Sequence, residues 1–237
     1  MIGYVSWGLI DVLKYGMVQN VMGNLYRFLN KIDGLKGLYV TLLVALGWGL
    51  FSCAAPGSTK PVIKIGLAAP FEGEQRSHGY QRLYGVKLAL QEVNLSGGVA
   101  GYKIELVALN DYADTAETIL QAQELVIDSD IMAVIGQWDA ELFAVSEPVY
   151  AAAQLAVVKP TQFNDPSSLP THFAADYESL SGSPPDLQAQ QAYLATYQVV
   201  QAIENAVLHS GSLGREQMLR ALLDLEDIAD SGDLRNR

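Results

Sequence analysis

Cysteine is nearly absent: Cys53 is the one thiol among 237 residues. That excludes an internal disulfide framework and any cysteine-based metal or redox centre. Histidine is scarce as well. His78, His172 and His209 are scattered, without carboxylate or cysteine partners at ligand spacing, so solvated or capping roles are expected of them and no metal site. The motifs that carry catalysis are missing, with no Walker loop, no G-x-G-x-x-G, no H-E-x-x-H and no G-x-S-x-G. Nothing supports an enzyme, and no cofactor is implied. Positive charge is the remaining deficit. Fifteen Lys and Arg against 26 Asp and Glu give a formal charge of −11, and a folded domain of that sign has no electrostatic footprint for nucleic acid.

What the chain does have is one uncharged apolar stretch, residues 37–59. Lys36 precedes it, Arg27 and Lys31 lie upstream, and residues 38–46 have the length of a secretory h-region. Leu50-Phe51-Ser52-Cys53 resembles a bacterial lipobox, in which the cysteine is lipidated and becomes the new N-terminus. Phe51 is bulkier than the small residue usual there. The same stretch is also long enough to cross a bilayer as an uncleaved helix of about 20 residues, or to serve as a buried core helix. Lys14, Arg27, Lys31 and Lys36 outnumber Asp11 and Asp33, which holds the leading side in the cytoplasm and puts the bulk of the chain outside, anchored to a bacterial cell membrane. Residues 1–36 read as an extended n-region, with Met17 or Met22 as alternative starts, or as an amphipathic surface helix. Residues 54–61, rich in Pro, Gly and Ser, read as a linker. One α/β lobe is expected over 62–225, followed by a tail over 226–237.

Within the lobe, strand and helix patterns alternate. Residues 62–68 form a β-rich apolar run closed by Pro70, and residues 80–94 carry Leu83, Val86, Leu88, Leu90 and Val93 at helical spacing. Gly97-Gly98 and Gly101 turn the chain into a second strand over 102–109. Asp114 and Glu117 stand three apart as in a capping box and open a second helix. A third strand is expected over 131–135, a helix from Asp139 past Pro148 to about Gln154, and a fourth strand over 155–158. Four strands with three intervening helices argue for a parallel sheet covered on both faces. Beyond Pro160 the pattern is loop and then helix only, over 171–180, 187–209 and 215–225. Tyr193, Tyr197, Val200 and Ile203 form a stripe of helical period that reads as core, and Asp111 reads as a turn or cap residue.

The order Ile63-Lys64-Ile65-Gly66, Pro70 and Gly73, Gly79, Gly85, Ala89 and Asn94, Gly97-Gly98-Val99-Ala100-Gly101, Asp111, and Val134-Ile135-Gly136 resembles the first lobe of type I periplasmic binding proteins of the leucine/isoleucine/valine-binding family. Residues 173–223 resemble the stretch in which that family's chain returns to the first lobe. The resemblance implies a Rossmann-like doubly wound sheet, a small polar solute as ligand and an ABC permease as partner. It also implies a second lobe entered near Phe163, and most of that lobe is missing. Either a truncated remnant or a one-lobed protein follows. A non-transport interaction or sensor module, using the exposed interlobe face for a partner or for self-association, is the alternative.

The family holds its ligand's carboxylate at the turn after the third strand, which here is Gly136-Gln137-Trp138-Asp139-Ala140-Glu141. Trp138, Asp139 and Ala140 are therefore candidate contacts. Asp139 also has the chemistry of an N-cap, and a carboxylate beside a ligand carboxylate opposes it by about 1 to 4 kcal/mol at ~4 Å. Thr161, Gln162 and Phe163, after the fourth strand, add a hydroxyl, an amide and a stacking ring, which suit a neutral or cationic solute bound weakly. For the leader, mass spectrometry of the mature protein is expected to find a lipidated N-terminal Cys53. A mature chain that still begins before Gly37 would establish the uncleaved anchor instead.

Overall fold

The structure, a computed structural model, describes residues 60–230. The apolar segment, Cys53 and most of the linker lie outside the described residues, as does the end of the tail. Four strands make one sheet: β1 (Val62–Ala69), β2 (Lys103–Asn110), β3 (Ile131–Ile135) and β4 (Ala156–Val158). All pair in parallel in the order β2-β1-β3-β4. The second strand lies outside the first, as a doubly wound sheet requires.

Because β1 is an inner strand covered on both faces, its apolar residues run on without strict alternation. Ile65, Leu67, Ala68 and Ala69 are all fully buried. Two clusters divide the faces. Ile63, Ile65 and Leu67 meet Val86, Leu90, Val199, Ile203 and Met218 on one side, while Ala68 meets Leu125, Val134, Tyr150 and Leu155 on the other. A one-residue irregularity in β3, where Lys64 pairs with Ile131 but Ile65 with Ala133, resets the alternation. Ile131 and Val134 thereby face one cluster, and Met132, Ala133 and Ile135 the other.

The helices that provide the cover have legible ends. Helix α1 (Arg76–Leu95) starts one turn before the apolar periodicity does, because residues 76–78 are polar and exposed. It ends where Gly98 N–H reaches back to Val93 O at 2.8 Å. Asn94 then pins the following strand, donating to Ile104 O at 2.8 Å and accepting from Ile104 N–H at 3.0 Å. Helix α2 (Thr115–Ile127) is capped by Asp114, which accepts from the Ala116 and Glu117 amides. Helix α3 (Ala140–Ala152) is capped by Asp139 and contains Pro148.

After β4 the chain makes two short 3-10 turns, Pro160–Gln162 and Pro166–Ser168, and continues into α4 (Phe173–Ser181), α5 (Leu187–Ser210) and α6 (Arg215–Asp230). Helix α5 lies against α1 on the face opposite α2 and α3, and the stripe Tyr193, Val200, Ile203 is core, as its period indicates. Arg215 anchors α6. Its guanidinium donates to Ile131 O of β3 at 3.1 Å, and to Val126 O at 3.1 Å and Asp128 O at 2.6 Å, two carbonyls left over at the end of α2. Burial lowers the Arg215 pKa, and Asp128 opposes that shift. Among the described residues no helix is long and apolar enough to cross a membrane.

The contact of α1 with α5 depends on Gly85. A Cβ there would stand 2.3 Å from Ala189 O and 3.1 Å from Ala192 Cβ, and backbone cannot move aside cheaply. Gly85→Ala is therefore expected to destabilise the lobe by about 1–3 kcal/mol, the usual range for overpacking. Urea denaturation should register a lower midpoint with an unchanged slope.

Candidate functional site

Ligands of open parallel sheets lie beyond the carboxyl ends of the strands, so residues 71–77, 138–141 and 161–163, after β1, β3 and β4, are the expected surface, with the turn after β2 beside them. Asn110, at the end of β2, organises two of them by accepting from Phe71 N–H at 2.9 Å and Tyr112 N–H at 3.1 Å. Asp111 follows it and is fully buried. Its Oδ1 accepts from Ala113 N–H at 3.0 Å, which makes it the turn residue expected. Burial raises its pKa, and the Ala113 N–H and Arg82 pull the other way.

Arg82 is the group at this edge that the sequence reading missed. It is only 9% exposed, its Nε donates to Gln188 Oε1 at 2.6 Å, and its guanidinium carbon lies 4.5 Å from the centre of the Trp138 ring. Burial pushes its pKa down to about 10, opposed by Asp111, Asp186 and Asp139, so it remains a cation at neutral pH. A signal was available. Arg82 precedes Val86 by four, Ala89 by seven and Val93 by eleven, which puts it on the core stripe of α1 and not on its solvated face.

A polar hollow of about 270 Å³ opens above Arg82, bordered by Gln75, Asp114, Thr115, Asp139, Glu141 and Leu142 among others. Of the expected contacts, Asp139 lines it. Asp139 Oδ1 is occupied in capping α3, accepting from Glu141 N–H at 2.8 Å and Leu142 N–H at 3.3 Å. Asp114 caps α2 with its own Oδ1 in the same way. The second oxygens of both carboxylates remain for a donor. Trp138 is half-buried beneath Arg82 and packs against the main core; its Nε1 is buried without a hydrogen-bond partner among the described residues. Ala140 is exposed at the start of α3. Thr161, Gln162 and Phe163 do not border the hollow. Thr161 and Gln162 are exposed, Gln162 donates to Gln198 Oε1 at 3.0 Å, and Phe163 packs against the core. With three carboxylates around one buried guanidinium, the hollow receives ammonium, amide or hydroxyl donors better than an anion. A wider hollow of about 470 Å³ between Tyr80, Tyr84 and Tyr177 runs along the helices and reaches the turn after β1 at Gly73 and Glu74.

Residues 62–179 match the family model described as periplasmic binding protein. The chain belongs to this family. Its relatives include an amino acid binding protein of Pseudomonas aeruginosa, 29% identical over 102 residues, 43% of this chain and 27% of that protein. Leu/Ile/Val-binding protein homolog 2 of Brucella abortus is 30% identical over 128 residues, 54% of this chain and 32% of that protein. The chain spans about three tenths of the length of these curated relatives. Among solved structures, it resembles the branched-chain amino acid transporter substrate binding protein LivJ from Streptococcus pneumoniae in complex with isoleucine, with a TM-score of 0.59 and 13% identity over 68% of this chain and 87% of that one. It also resembles leucine binding protein LivK from Thermotoga maritima, with a TM-score of 0.54 and 12% identity over 68% and 87%. At such identity the likeness establishes the fold of the lobe. The family consists of substrate-binding proteins, not enzymes.

The role of Asp139 has a direct test. Asp139→Ala removes the acceptor of two α3 amides and is expected to cost about 1 kcal/mol, whereas Asp139→Asn, an equally good cap, should leave stability nearly unchanged. Urea midpoints of the two variants are the measurement.

Proposed function

We propose that the chain is an extracytoplasmic solute-binding component of the branched-chain amino acid or amide type, reduced to one lobe and held at the membrane through Cys53. An ABC permease is its partner in this reading. Family membership supports the extracytoplasmic location and the small polar ligand. The observation that carries the rest is the course of the chain after β4. Two 3-10 turns lead directly into α4 and α5, which pack on the same sheet, so among the described residues no second lobe stands opposite the hollow above Arg82.

A solute on such a surface stays wet on one side. In a two-lobed cleft, closure encloses the ligand and supplies the second half of its contacts; none of the described residues stands where it could supply them, and each 1.4 kcal/mol forgone is tenfold in affinity. The acidic rim further disfavours an α-carboxylate. Binding of leucine, isoleucine and valine is therefore expected to be no tighter than about millimolar, near −4 kcal/mol. Titration calorimetry of the purified full chain with the three amino acids is the test. A micromolar dissociation constant for any of them would overturn the one-lobe argument. Concentration-dependent self-association in analytical ultracentrifugation, unchanged by any of these solutes, would favour an interaction module built on the same face.

A further inference from the structure

Ten residues along α1 from Arg82, roughly 15 Å at the rise of a helix, a second group of polar side chains comes together. Glu92 on α1, His172 at the N-cap of α4 and Asp176 one turn into α4 each bring a ligand atom within 4.8 Å of the others. Glu92 is held from behind. Its Oε2 accepts from Tyr193 OH at 2.7 Å and from Tyr197 OH at 2.6 Å. Its Oε1 is shut off from solvent and has no hydrogen-bond partner among the described residues, and it faces His172 Nε2 at 3.4 Å. A carboxylate oxygen oriented by two tyrosines, desolvated and left with only an imidazole nitrogen in front of it, is half of a coordination site.

We propose that Glu92, His172 and Asp176 bind a divalent transition metal of the zinc class. One imidazole with two carboxylates suits zinc, whereas magnesium and calcium favour all-oxygen shells. Ligands at 2.0–2.2 Å around a tetrahedral ion stand roughly 3.4 Å apart, the separation Glu92 and His172 already have. Asp176 and His172 are exposed, so rotation of their side chains closes the remaining distance without disturbing the core. Their i, i+4 spacing puts both on one face of α4. Tyr193 and Tyr197 supply the outer-shell hydrogen bonds that fix a metal-binding carboxylate. The fourth position falls to water. The ion would tie α4 to α1 across 80 residues of sequence, at the end of the lobe remote from the solute hollow.

A plain Glu92–His172 ion pair predicts the opposite pH behaviour, which makes the two separable. An ion pair needs a protonated imidazole and is favoured by acid, whereas a metal needs deprotonated ligands and is displaced by it. Calorimetric titration of the purified full chain with zinc chloride at pH 7.5 is expected to show a saturable site, accompanied by a zinc-dependent rise in melting temperature. Both effects should shrink as the pH falls to 5.5. His172→Ala, at a half-exposed position that leaves the fold intact by circular dichroism, should weaken zinc binding at least thirtyfold, while His78→Ala should leave it unchanged. Absence of saturable zinc binding in the wild type, or an affinity in His172→Ala within threefold of it, would overturn the proposal.

Discussion

Because β1 lies between β2 and β3 in an all-parallel sheet, its side chains leave on both faces into protein, and the rest of the lobe is arranged to keep water from those two faces. The local βα units supply one cover: α2 and α3 close over Ala68, Leu125, Val134 and Tyr150. The other face takes α1 and then needs more, since one helix cannot span Ile63, Ile65, Leu67, Met132 and Ile135. Helices α5 and α6 complete it with Val199, Ile203, Met218 and Leu222. Each fully buried aliphatic side chain contributes about 1.5–3 kcal/mol, so this second cover is a condition of folding and not an accessory. That gives the helices after β4 a structural reason of their own, because they complete the cover of the sheet.

The same packing decides what is at the functional edge. Gly85 lets α5 approach α1 closely, and that approach delivers Gln188 to Arg82 and Tyr193 and Tyr197 to Glu92. Arg82 then flattens against Trp138 and meets a rim of cap carboxylates, so the site's character follows from helix packing as much as from the turn that bears the candidate contacts. Helix capping and the rim of the hollow draw on the same two carboxylates there. Asp114 and Asp139 each spend one oxygen on a helix end, and only the other faces the hollow.

Much of the lobe could be read from the chain because its signals are local. β3 was expected over 131–135 and lies at Ile131–Ile135; the Asp114 and Asp139 caps, the glycine turns and the outer position of β2 follow from turn chemistry and crossover handedness. Ends were read less well where polarity masked periodicity, as in the first turn of α1. The site was legible only in part. Asp139 borders the hollow, Trp138 lies beneath its floor residue, and Thr161, Gln162 and Phe163 stand apart from it. Arg82 was overlooked because charge on a helix is ordinarily solvated, and its burial depends on Trp138 and Gln188, far along the chain. His172 looked isolated for the same reason, since Glu92 is brought to it only by tertiary packing.

The Gly85–Ala189 contact joins residues more than a hundred apart, and that separation governs when the lobe can form. Closing such a loop costs about 4 kcal/mol of chain entropy before any contact rewards it, and until it closes only α1 covers the face of β1 that bears Ile65 and Leu67. During synthesis at 5–20 residues per second, the first four strands are complete several seconds before Leu222 emerges. For that interval the nascent chain presents a half-dressed apolar sheet with unpaired β2 and β4 edges, a natural client for holding chaperones and a place where aggregation outruns folding if the last two helices are delayed.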